Sequence, residues 1–301
     1  MTLDDLTIED ERALAHVALY ARLKQALRRS GHRFLIPAAG AALSWDRALF
    51  LNLTYWSGQP VAAAGSDGPK RVDADVDVDV RCDDHIAADE IGHIAWHHVV
   101  GRELARASAG DAAGGSSPLS AEALFFSESI ASAFDLYLIG RLLHHAPDSD
   151  FITTQVPQIA DRAQDAGLSA DGFAALLEEI ARAPERAFED MRALLFDVAN
   201  ALLGCAGPRQ AQTALDRFTG HRFEPLLHHF EISNWILYAR AYGARTTGPA
   251  AAVLAPDTAP DTGPDTVVRR LDALLRAAPV ALDWLAEHWV DADQAAPGKG
   301  K

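Results

Sequence analysis

The stretch Asp83-Asp84-His85-Ile86-Ala87-Ala88-Asp89-Glu90-Ile91-Gly92-His93-Ile94-Ala95-Trp96-His97-His98-Val99-Val100 sets eight ionisable side chains among residues that are otherwise apolar or small. It predicts a helix over 84–107, and a helix that is apolar on nearly every side is normally buried. At about 100° per residue, His85, Asp89, His93 and His97 line one stripe, with Glu90 at its edge. Buried carboxylates and imidazoles are costly unless they are paired, hydrogen-bonded or bound to a metal. A divalent metal is therefore one partner that the stripe predicts. Each residue advances about 1.5 Å, so His85 and His93 lie about 12 Å apart and cannot share an ion. Asp89 with His93, or His93 with His97, are one turn apart and can converge on one ion, as i, i+4 pairs do in zinc sites. His93 belongs to both pairs; His98 points away from the stripe.

A further ligand should come from another element. The next apolar segment, Phe125-Phe126-Ser127-Glu128-Ser129-Ile130-Ala131-Ser132-Ala133-Phe134-Asp135-Leu136-Tyr137-Leu138, offers Glu128 and Asp135 on one face. Glu128 is the candidate inward carboxylate, and Asp135 its expected support.

Outward from these helices the expected fold is α+β and mostly α, with a small N-terminal β region ahead of a helical core and a helical C-terminal part. Residues 7–29 predict a helix. The aromatic run Leu49–Trp56 and the alternation Val72-Asp73-Ala74-Asp75-Val76-Asp77-Val78-Asp79-Val80 predict strands within 41–80. Further helices are expected near 119–145, 169–182, 185–204, 208–219, 222–241, 266–277 and 279–290. Ser120 and Ser169 suit caps and Pro208 a first helical position. The tract Ala255-Pro256-Asp257-Thr258-Ala259-Pro260-Asp261-Thr262-Gly263-Pro264-Asp265-Thr266 cannot bury a core. The chain divides accordingly into 1–145, a helical part 146–243, a loop or linker 244–266 and a C-terminal part 267–301.

With 27 Lys and Arg against 42 Asp and Glu, a formal charge of −15 disfavours nucleic acid and anionic lipid as partners. No leader or membrane-spanning pattern is read, which points to a cytoplasmic protein whose partner is a peptide or small-molecule substrate. Cys82 and Cys205 are the only cysteines among 301 residues, so neither a disulfide framework nor a Cys-x-x-Cys site is available. Oligomeric state is not legible.

The chain resembles a zincin metallopeptidase of the gluzincin type over about residues 45–145. Asp89-Glu90-Ile91-Gly92-His93 falls where that family has H-E-x-x-H, and Ser127-Glu128-Ser129-Ile130-Ala131 falls where it has its glutamate ligand. The resemblance implies zinc held by His93 and Glu128, Glu90 as general base, and an oxyanion-steadying residue late in the helical half, for which His228 is the candidate. Asp89 replaces the family's first histidine, and as a ligand it would add negative charge and weaken the metal as a Lewis acid. Two other classes stay open. Glu90-x-x-His93 has the spacing of di-iron bundles, which would make iron the metal of an oxygenase. A zincin-like scaffold without catalysis would bind a peptide in its cleft.

Overall fold

In the computed structural model, the described residues are 11–30, 84–109, 120–237, 239 and 264–291. They are 83% helical and contain no strand. This corrects the α+β expectation: among the described residues the fold is all-α, and the segment 41–80, on which the strands were placed, lies outside them.

The helices run in order as α1 (Glu11–Ala15), α2 (Ala18–Arg29), α3 (Asp84–Ala109), α4 (Ala121–Leu142), α5 (Asp150–Asp165), α6 (Ala170–Arg182), α7 (Pro184–Leu203), α8 (Pro208–Leu215), α9 (Pro264–Ala277) and α10 (Ala281–Leu285). A 3₁₀ segment, Glu224–Phe230, precedes a short helix at 232–237, and a π turn, Ala286–Val290, extends α10. The N-termini follow local chemistry. The hydroxyls of Ser120, Ser149 and Ser169 accept from the backbone N–H of Ala123, Ile152 and Gly172, and Pro184 and Pro208 occupy first-turn positions where no N–H is needed.

α4 is the axis of the core. Of its residues only Ala121, Glu122, Asp135 and Arg141 escape full burial. By length and composition it is apolar enough to cross a bilayer, yet 94% of its most apolar window is buried in the protein, because α3, α5, α6, α7 and α9 surround it. Trp96 of α3 meets Phe134 edge-on at 5.5 Å, and Phe126 meets Phe196 of α7 in the same way at 5.6 Å. A contiguous apolar cluster extends from Leu14 to Val290, so all parts of the helical chain share it. Fully buried Arg192 ties α7 to α9 through Asp272 at 2.7 Å and pairs with Glu189 on its own helix.

Several boundaries differ from the sequence reading. The first helix breaks at His16 and Val17. α5 is a helix the sequence does not announce, since Pro157 sits inside it and interrupts the periodic pattern. Its buried residues Phe151, Ile152, Ile159 and Ala163 nonetheless lie on one side. The region 222–241 is no single helix: Pro225 starts the 3₁₀ segment, and Glu231 ends it in the left-handed conformation at φ 46°.

α4 crosses α6 and the start of α7 at Gly140, where a Cβ would stand 2.8 Å from the Ile180 carbonyl and 2.9 Å from Pro184 Cβ. Gly140→Ala should therefore cost about 1–3 kcal/mol through overpacking. At Gly101 an added Cβ meets nothing within 4 Å. Gly101→Ala should hold or raise stability by up to about 1 kcal/mol. Denaturant midpoints for the two variants check the contrast, and an undisturbed midpoint in Gly140→Ala would mean that the crossing is looser than described.

Candidate metal centre

α3 and α4 pack along each other with His93 and His97 of the first facing Glu128 of the second. The two histidines are one helical turn apart, so both rings reach the same space. Ligand atoms of His93, His97 and Glu128 all lie within 4.8 Å of one another, a grouping able to hold a metal ion. Glu128 Oε1 stands 3.9 Å from His93 Nδ1, and Oε2 stands 2.5 Å from His97 Nε2. The side chains of His97 and Glu128 are 5% and 7% exposed, and that of His93 13%, so the site opens slightly on the His93 side.

The outer nitrogen of each ring is held from α4. His93 Nε2 lies 2.8 Å from Asp135 Oδ2, and His97 Nδ1 lies 2.7 Å from Ser127 Oγ. Glu128 and Asp135 sit seven residues apart on α4, two turns along the same face, which lets one helix supply both an acidic ligand candidate and an acidic partner for a histidine. Asp135 thus serves His93, where the sequence suggested support for Glu128. Ser127 carries no distinguishing signal in the sequence. Serines within helices commonly bond back to their own backbone, as Ser129 does to the Phe126 carbonyl at 2.8 Å.

Glu128 Oε2 is buried and forms a close ion-pair contact with His97 Nε2. Burial by itself would raise the Glu128 carboxyl, but the adjoining His97 and then the charge of His93 outweigh it, and the group titrates below the ordinary value of 4.5. A buried carboxylate facing two imidazoles is a donor set that suits a cation. Two ligands about 2.0–2.1 Å from a tetrahedral ion stand about 3.3 Å apart. The observed separations of 2.5 and 3.9 Å bracket that value, so small rotations of the Glu128 side chain suffice.

The other residues singled out from the sequence fall differently. Asp89, Glu90 and His85 belong to α3 by backbone, and their side chains lie outside the described residues. The position that follows the first histidine of the 93/97 pair is Ile94, which is buried and apolar. His228 is exposed on the 3₁₀ segment, which packs on α5, and is not part of the His93, His97 and Glu128 group. His229 borders a surface hollow of about 660 Å³ with Asp161, Arg162, Asp165 and Glu231. Tyr238 and Arg240 lie outside the described residues. No family model, curated protein or solved structure matches this chain.

The lowered carboxyl has a consequence that runs in one direction. A carboxylate favoured in the folded state stabilises the fold above its unfolded value, and that increment is lost as pH falls through the lower folded value. Glu128→Gln lacks the titration. The stability advantage or disadvantage of the parent over Glu128→Gln, measured on metal-free protein, should therefore shift against the parent as pH is lowered below 4.5. Thermal melts across that range check it; parallel curves for the two proteins would show that Glu128 does not titrate as described.

Proposed function

We propose that the chain is a divalent-metal-dependent hydrolase acting on a peptide or a small acyl substrate, with His93, His97 and Glu128 as protein ligands. The observation that carries the reading is the convergence of these three donors within 4.8 Å in the buried seam between α3 and α4. Two imidazoles and one carboxylate are the donor set of catalytic zinc sites that keep a further position open. Zinc bound in this way supplies a Lewis acid and lowers the pKa of water towards neutrality. The proposal takes His97 as the second histidine, one turn beyond His93, in place of Asp89 one turn before it. Asp89 is then free for other roles.

Glu90 is the proposed general base. It precedes His93 by three residues, the Glu-x-x-His spacing read from the sequence. Its role would be to take a proton from the attacking water and pass it to the leaving group. The same donor set also suits iron(II), which is what keeps an oxygenase as a second reading.

Metal analysis of the purified full-length chain separates the readings. One zinc per chain, lost in His93→Ala and His97→Ala, is the expected result, whereas iron in place of zinc would favour the oxygenase. Glu90→Gln should keep the metal and lose at least about 100-fold in hydrolysis of a peptide or ester library, the usual scale for a general base. A parent protein that takes up neither metal would reject both enzymes and leave a scaffold.

A further inference from the structure

The two histidines turn opposite nitrogens to Glu128, and their neighbours on α4 explain why. A carboxylate can only accept, so the 2.8 Å contact with Asp135 Oδ2 makes His93 Nε2 the N–H of that ring. In the neutral imidazole the bare lone pair is then on Nδ1, the atom that faces Glu128 Oε1 across 3.9 Å. The same rule makes His97 Nε2 the N–H of its ring, since it lies 2.5 Å from Glu128 Oε2, and Ser127 Oγ then donates to His97 Nδ1 at 2.7 Å.

We propose that Asp135 is a positioning residue that fixes the tautomer of His93, so that a metal is bound through His93 Nδ1. The inference rests on the metal reading above and deepens it by assigning the binding atom of that ring. The charge of Asp135 makes the opposite nitrogen of His93 more basic, and its place two turns beyond Glu128 on α4 couples ring orientation to the same helix that supplies the carboxylate.

The test uses zinc(II) alone with the full chain, titrated against a competing chelator, together with long-range ¹H–¹⁵N spectra of chain labelled at histidine. In the metal-free parent, His93 should show its proton on Nε2, and zinc should perturb His93 Nδ1. Asp135→Ala should weaken zinc binding by about 10–100-fold and abolish the His93 preference. Asp135→Asn keeps an oxygen that can accept from Nε2–H, so it should retain the tautomer pattern and recover part of the affinity. A merely structural role would instead lower the melting temperature of both variants and leave the tautomers unchanged. Zinc affinity in Asp135→Ala within twofold of the parent, or a zinc-loaded His93 still carrying its proton on Nδ1, overturns the assignment. If Asp135→Ala does not fold, the spectra of the parent decide the case alone. A parent that binds no zinc rejects this inference together with the hydrolase, whereas a parent that binds zinc indifferently to Asp135 rejects this inference only.

Discussion

A carboxylate inside the most buried helix of the protein is the constraint from which the rest follows. Glu128 sits in the middle of α4, between residues that the core needs apolar, and its charge is favoured there only because α3 presents His97 and His93 to it. Removing such a partner strands a buried charge, which generally costs more than any single apolar contact gains. The pairing therefore fixes the rotation of α3 and α4 about their axes. A slide of one residue in either helix would turn the imidazoles away from the carboxylate and into apolar packing around Trp96 and Phe134.

That coupling links stability and chemistry in one seam. A helical core built from Leu, Ile and Phe tolerates many rotations of neighbouring helices, because hydrophobic packing is non-directional. Polar contacts at Asp135 and Ser127 are directional, and each lies on α4 within eight residues of the other. The seam thus holds two rings by their outer nitrogens while the core holds the helices that carry them. Preorganisation of this kind is what a site needs when ligand atoms must stay within fractions of an ångström of a productive arrangement.

How far the sequence could be read depended on whether a residue's neighbours were set within one helix or across two. The stripe through His93 and His97 follows from helical periodicity alone, and so does the shared face of Glu128 and Asp135. Which histidine each carboxylate meets depends on the crossing of α3 and α4, and no local pattern encodes it. The supporting place expected of Asp135 is therefore taken at His93, a partner no local pattern names, and Ser127 carries no signal in the sequence. α5 went unread because Pro157 removes a donor and signals a break, although the surrounding apolar residues still form a face against the core. The strand-like alternation of Val72 to Val80 lies outside the described residues. The place of His228 was drawn from a resemblance, and its position on an exposed 3₁₀ turn follows instead from Pro225 and the left-handed Glu231.

The C-terminal π turn has its own bearing on how the molecule is made. It turns the Trp289 carbonyl to the Arg102 guanidinium of α3 and brings Asp291 to Arg22 of α2, a pair separated by 269 residues. Bringing together segments so distant in the chain carries a loop-closure cost that local helix formation does not. During synthesis the N-terminal helices must wait for almost the entire polypeptide before these two contacts can form. Until α9 is made, α4 lacks the part of its apolar cover that α9 provides. The last residues of the fold are thus the ones that end its exposure to aggregation.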